Sequence, residues 1–334
     1  MSTDAAASLP ALADLLSTFR VVSLPLVTRF RGIDVREAVL LEGPEGWTEF
    51  SPFLEYDDAE AAAWLAGAID YGWMPTPAAL RDRIRVNATV PAVDAASVAG
   101  ILARFDGCRT AKVKVAGAGQ RLADDVARVR EVRAVMGPEG CIRVDANGGW
   151  NIDEAEHAIH ALAEFDLEYV EQPCARVDEL AELRRRVKYL GIPIAADESV
   201  RKAADPLDVA RAGAADILVV KAQPLGGVRR ALEIVAEAGL PSVVSSALDT
   251  SVGLAMGVAL AAALPDLDYD CGLGTAALLA ADVVSPGLVP RDGSLPVGRV
   301  TPDPALIRRY AASEDRREWW KARIARCHSE LARG

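Results

Sequence analysis

Zinc-type ligands are scarce in this chain. Its 334 residues include three histidines and five cysteines, and Cys108, Cys141, Cys174, Cys271 and Cys327 form no C-x-x-C pair. An odd number without paired spacing indicates neither a zinc ribbon nor a disulfide framework, which points to a reducing, cytoplasmic setting. Basic residues are also in deficit: the net charge of -11 argues against a nucleic-acid backbone or an anionic membrane as partner. The most apolar run, Val252 to Leu264, V-G-L-A-M-G-V-A-L-A-A-A-L, is too short to span a bilayer and reads as a buried helix. Its Gly253, Ala255, Gly257 and Ala259 allow close packing against a barrel or a partner subunit, and a homo-oligomer is compatible with them. The start, M-S-T-D-A-A-A-S-L-P, has no basic segment of a secretory leader.

What the chain does have is ordinary globular composition, 51% hydrophobic and 25% charged, with length for a large core and a smaller module. Residues 20 to 56 carry strand signals, R-V-V-S-L-P-L-V and E-A-V-L-L-E-G-P-E-G-W-T-E-F-S-P, with P-E-G as a hairpin turn. Between them Thr28 to Ile33, T-R-F-R-G-I, reads as a loop whose Arg29 and Arg31 are either surface charge or a flap that meets an anionic ligand. Residues 57 to 83 read as helical, with acids in the first turn. From about residue 86 strand and helix signals alternate through eight strand candidates, from V-N-A-T-V-P-A to L-D-Y-D-C-G. No G-x-G-x-x-G follows the first of them, so a closed (β/α) barrel is expected rather than an open dinucleotide-binding sheet.

In such a barrel the chemistry sits at the carboxyl ends of the strands. T-A-K-V-K-V places Lys112 and Lys114 two apart, hence on one face of a strand, an expensive arrangement unless anions lie close by. The next three strands end at Asp145 (R-V-D-A-N), Glu171 (V-E-Q-P) and Asp197 (A-D-E-S), in equal steps of 26. Three carboxylates at one height repel unless a divalent cation neutralises them, and an all-oxygen set favours Mg²⁺ over zinc, with Mn²⁺ also admissible. The following strand brings Lys221 to the opposite wall, in V-V-K-A-Q-P. A lysine base at neutral pH needs a lowered pKa, for which Lys112, Lys221 and the cation are the expected cause at Lys114. His157 and His160 fall on the outside of a helix and His328 in the tail, so no histidine serves as base. Asp268 and Asp270, as a D-x-D pair, fall too early before the barrel closes to face the mouth.

A-K-V-K-V, R-V-D-A-N, V-E-Q-P, A-D-E-S and V-V-K-A-Q-P-L-G-G, in this order, resemble the muconate-lactonising-enzyme subgroup of the enolase superfamily over the whole chain. The resemblance implies a modified (β/α)7β TIM barrel at residues 84–277 and an α+β capping domain at residues 1–83, completed by residues 278–334. It implies Lys114 and Lys221 as catalytic lysines, Lys112 as a supporting neighbour, and Asp145, Glu171 and Asp197 as metal ligands. S-S-A-L-D-T-S-V-G-L-A and D-C-G-L-G-T resemble most the members that dehydrate a succinyl-hydroxycyclohexadiene carboxylate, which implies a small-molecule carboxylate substrate and contacts from Ser245, Ser246, Asn147 and Arg31. Satisfying local backbone is an equal reading for both serines. N-acylamino acid racemisation or dipeptide epimerisation would use the same lysines. A Schiff-base aldolase would not need the three acids, and an inactive binding barrel would not keep all five groups.

Overall fold

The computed structural model describes residues 9–202 and 205–333; the first eight positions of the leader reading lie outside them. An antiparallel sheet opens the chain after a short helix α1 (Leu12–Thr18): β1 (Arg20–Phe30), β2 (Ile33–Gly43) and β3 (Gly46–Phe50), in the order β1-β2-β3. β1 runs to Phe30 and turns on Arg31 and Gly32 alone, both at positive φ. The expected loop Thr28–Ile33 is therefore a hairpin tip that stands at the end of a long ribbon. Helix α2 (Asp58–Trp73) starts where Asp57 accepts from the Glu60 amide. It does not continue to residue 83 as expected, because Pro75 and Pro77 cannot donate to a helical ladder.

The rest alternates strand and helix. In chain order these are β4 (Arg83–Arg85), β5 (Ala88–Val90), α3 (Val98–Leu102), β6 (Thr110–Lys114), α4 (Leu122–Met136), β7 (Cys141–Asp145), α5 (Ile152–Leu162), β8 (Leu167–Glu171), α6 (Val177–Val187), β9 (Ile194–Ala196), α7 (Glu198–Arg201), α8 (Asp208–Arg211), β10 (Ile217–Val220), α9 (Val228–Ala238), β11 (Ser242–Val244) and α10 (Ser251–Ala263). Seven of the strands form one parallel sheet in the order β11-β10-β9-β8-β7-β6-β5. L-D-Y-D-C-G was expected as the eighth strand, but it contributes only two parallel bridges, Val86 to Cys271 and Ser245 to Gly272. Backbone bonds Asn87 N to Cys271 O and Gly272 N to Val244 O complete the closure on both sides. The result is an α/β modified barrel.

Strand alternation divides its residues. Val113, Val144, Val170, Leu218, Val220 and Val244 face the surrounding helices in the main core. Tyr169, Ala195, Ile217, Val219 and Val243 fill the barrel interior as a separate cluster. β4, which leads into the amino end of β5, pairs antiparallel with β12 (Ser294–Pro296) in a separate two-stranded ribbon. Helices α11 (Pro304–Arg309) and α12 (Glu314–Leu331) return to the first sheet, where Trp320 meets Phe50 edge-on at 5.8 Å and donates to Glu37 at 2.8 Å.

Cap and barrel are joined by buried polar groups. Glu49 on β3 accepts from the Thr250 and Gly253 amides and from the Ser51 and Thr250 hydroxyls, so a cap carboxylate holds the first turn of α10. A side chain at Gly253 would come 2.7 Å from the Glu49 carboxyl carbon, which is why this apolar helix opens with glycine. Its small residues thus serve packing within the chain. Beside this pair Asp249 accepts from Gln223, and Arg36 donates to the carbonyls of Ala247 and Leu248. Burial and then Asp249 push the Glu49 carboxyl up to about 7 from its usual 4.5. Between those values the folded chain holds a proton that the unfolded chain has released, so this group's stabilising contribution is lost as pH rises through the window. Urea unfolding from pH 5 to 8 is expected to show that downward slope, and Glu49→Gln is expected to make it shallower.

Candidate active site

Register brings the charged residues together. Lys114 pairs with Asp145 and Asp145 with Glu171 as direct Cα partners across three adjacent strands, while Asp197 follows the last residue of β9. All three acids are buried, at 1% exposure or less. Lys112 donates to both Glu171 oxygens at 2.9 and 3.1 Å and lies 3.1 Å from Asp145 Oδ2. Lys114 donates to the same Asp145 oxygen and, at 2.9 Å, to Asn147 Oδ1. On the far wall Lys221 donates to Asp197 Oδ2 at 2.5 Å, and Arg201 to Oδ1 at 3.1 Å. The like-charged pair on β6 is thus compensated by the acids on β7 and β8.

The electrostatics differ from lysine to lysine. Burial holds the Lys114 ammonium below the usual lysine range despite Asp145, with Lys112 adding to the effect. The direction matches expectation but its largest cause is desolvation, not like charge. Burial also disfavours a charged Lys112, yet Glu171 and Asp145 outweigh it and hold the group well above the ordinary value. Lys112 stays an ammonium. Against the cost of burial, Lys114 and Lys112 keep Asp145 well below the carboxylate range, and Lys221 and Arg201 do the same for Asp197. Glu171 is the exception: burial, then Asp145 and Asp197, push it up to about 8.

Among the described residues no three His, Cys, Asp or Glu side chains form a preassembled cation cage. The three carboxylates expected at one height do occupy adjacent strand ends, but their oxygens are turned onto the lysines. The donor set nevertheless suits a hard divalent cation. It is fully buried and all oxygen, as a hard divalent cation requires of its ligands.

Around this centre the mouth is lined by Phe30, Arg31 and Phe53 from the cap and by Thr89, Asn147, Ser245, Ser246, Leu248, Gly272 and Thr275 from the barrel. All four expected substrate contacts are here. The Arg31 guanidinium lies 4.5 Å over the Phe53 ring, whereas Arg29 points to solvent near Asp34. Ser246 donates to Gly272 O at 2.7 Å, leaving only lone pairs for a ligand, while Ser245 stands 3.5 Å from that carbonyl. Asp270 accepts from Thr110 at the opposite end of β6 and pairs with Arg85, so this half of the D-x-D faces away from the mouth. His160 is exposed against Tyr189, and His328 meets Pro10 O.

Sequence reasoning missed several members. Thr89, in the quoted V-N-A-T-V-P-A, is buried in the mouth with a hydroxyl that has no partner among the described residues. Gln172, inside V-E-Q-P, accepts from the Asp197 and Ser199 amides and fixes the strand end that carries Asp197. Arg201 sits four residues after Asp197, a helical spacing that could have signalled the pair.

The comparisons agree with this geometry. Residues 21–72 match the family model described as enolase N-terminal domain-like and residues 94–302 the one described as enolase C-terminal domain-like. The chain is 57% identical over 321 residues to the o-succinylbenzoate synthase of Mycolicibacterium smegmatis, covering 96% of this chain and 98% of that one. The chain belongs to the o-succinylbenzoate synthase family of the enolase superfamily. Another member, from Mycobacterium tuberculosis, is 56% identical over 324 residues, covering 97% of each chain. Among solved structures, muconate lactonizing enzyme from Pseudomonas putida aligns with a TM-score of 0.73 at 20% identity, covering 88% of this chain and 98% of its own. An N-succinyl Arg/Lys racemase from Bacillus cereus aligns at 0.72 and 17% identity, covering 89% and 98%. These two likenesses concern the fold. Enzymes of this superfamily generally bind a divalent metal, and no helix of the described residues is long and apolar enough to cross a membrane.

The raised Glu171 has a measurable consequence. A divalent cation titrated into the chain at pH 7 is expected to displace a proton, so its affinity rises between pH 6 and 8. Calorimetry in buffers of different ionisation enthalpy reads the proton release, which Glu171→Gln should remove.

Proposed function

We propose that this chain is an o-succinylbenzoate synthase, removing water from 2-succinyl-6-hydroxy-2,4-cyclohexadiene-1-carboxylate in menaquinone biosynthesis. The observation that carries the reading is the near full-length identity of 57% to a synthase of that name, and the two-sided lysine and carboxylate site is consistent with it. Asp145, Glu171 and Asp197 would hold the cation, Mg²⁺ or Mn²⁺. When bound, it supplies positive charge against the carboxylate end of the substrate.

The remaining work falls to the chain's own groups. Lys114, with its ammonium form disfavoured by burial, takes the proton from the ring carbon beside the carboxylate; that electron pair moves into an enediolate. Lys221, on the opposite wall, faces the enediolate with a positive charge. As the electron pair returns to form the ring double bond, the hydroxyl on the next carbon departs and Lys114 gives it the proton, releasing water from the same face. Lys112, locked as a cation on Glu171 and Asp145, disfavours protonation of Lys114 and keeps its side chain in register. The succinyl carboxylate is assigned to the other half of the mouth, where Thr89 has a hydroxyl unpaired among the described residues to donate, Ser245 has one held at 3.5 Å by the Gly272 carbonyl, and Arg31 overhangs from the cap; Asn147 orients Lys114.

We assign residues 1–83 and 278–334 to the cap and 84–277 to the barrel, and a cytoplasmic setting suits the five free cysteines. In a direct assay, loss of the cyclohexadiene absorbance should require Mg²⁺ and cease with EDTA. Lys114→Ala is expected to lower kcat by roughly 10² to 10⁴ or more. Absence of turnover by the unmodified chain, with α-proton exchange on an N-acylamino acid instead, would overturn the synthase reading in favour of a racemase.

A further inference from the structure

Tyr56 belongs to the cap and reaches the barrel. It is 4% exposed and carries its ring edge-on to Phe53 at 5.7 Å. Its hydroxyl oxygen accepts from Arg201 Nη1 at 3.0 Å and from Arg31 Nη1 at 3.5 Å, the latter at the outer limit for a hydrogen bond. These two guanidinium groups come from opposite sides. Arg31 is the hairpin-tip cation over the mouth, stacked at 4.5 Å on Phe53. Arg201 holds Oδ1 of Asp197 at 3.1 Å and Glu198 Oε1 at 2.8 Å, and Glu198 Oε1 in turn accepts from Asn147. One phenol oxygen therefore stands between the group that overhangs the mouth and the carboxylate assigned to the cation.

We propose that Tyr56 is a positioning residue that links the cap's Arg31 to Asp197 through Arg201. The inference rests on the reading of Asp197 as a cation ligand and of Arg31 as a substrate contact. With Arg201 fixed at Oδ1, the other oxygen of Asp197 is turned to the mouth, where it now meets Lys221. Partners of this kind, which fix a ligand's orientation without touching the metal, change metal affinity by about 10- to 100-fold when removed. The ring packs against Phe53 and Trp64, and the Lys202 ammonium lies 4.2 Å over it, so ring position does not depend on the hydroxyl. Removal of the oxygen alone takes the only cap hydrogen bond from Arg201 among the described residues, leaving Glu60 Oε1 at 3.9 Å, and leaves Arg31 with its stacking contact.

The test uses Tyr56→Phe in the full chain, which keeps the ring, and Arg31→Met as the comparison. Mg²⁺ affinity is read by calorimetry without substrate, and KM and kcat are read separately at saturating Mg²⁺. The expected result is a roughly 10-fold weaker Mg²⁺ affinity together with a raised KM in Tyr56→Phe, kcat being less affected. Arg31→Met should raise KM and leave Mg²⁺ affinity unchanged. Tyr56→Phe with unchanged Mg²⁺ affinity, or with weaker Mg²⁺ binding and an unchanged KM, would overturn the link. The cation titration needs no turnover, so an unchanged Mg²⁺ affinity in Tyr56→Phe overturns the link even where the unmodified chain lacks synthase activity, a result that would overturn the functional reading instead.

Discussion

Charge compensation inside a dry barrel is the constraint on which the site depends. Asp145, Glu171 and Asp197 are buried, and each has an ammonium or guanidinium group from the same chain against it. Removing one partner of such a pair leaves an uncompensated buried charge, typically about 3 to 5 kcal/mol of destabilisation. The same arrangement separates the three lysines into roles. Lys112 is fixed as a cation by two acids, Lys221 is paired with one, and Lys114 is kept below its ordinary range by burial. Of the two lysines on β6, Lys114 is therefore the one whose neutral form the burial favours.

The fold supplies the register that this compensation requires. A parallel ladder places Lys114, Asp145 and Glu171 side by side, and strand alternation sends them to the interior while valines face the helices. Below them the barrel is filled by Tyr169, Val219 and Val243, so the charged layer has a solid floor. Above them the cap is tied to the barrel through Glu49 on the first turn of α10 and through Arg36 on the carbonyls of Ala247 and Leu248. The hairpin tip with Arg31 is thereby held over the mouth without a covalent tether near it.

Much of this was legible in the chain. The K-x-K spacing and the equal steps between Asp145, Glu171 and Asp197 follow directly from strand period and repeating unit length, so the register needed no tertiary information. The missed features depend on contacts between distant segments. The eighth strand is reduced to Cys271 and Gly272 because closing the barrel asks for two bridges only, and propensity says nothing of that. The turn of each acid toward a lysine rather than toward its neighbours is a matter of side-chain packing. Tyr56 and Arg201 lie 145 positions apart, and no local pattern joins them. Proline at 75 and 77, by contrast, was a visible stop for α2.

We propose that the three acids exchange lysine partners for a cation while Lys114 is released to the substrate. Anomalous diffraction from crystals grown with Mn²⁺ and o-succinylbenzoate tests it most directly. The account expects one anomalous peak within coordination distance of Asp145, Glu171 and Asp197, with the Lys114 ammonium moved off Asp145 toward the ligand. A peak elsewhere, or Lys114 still seated on Asp145 beside bound product, would contradict it.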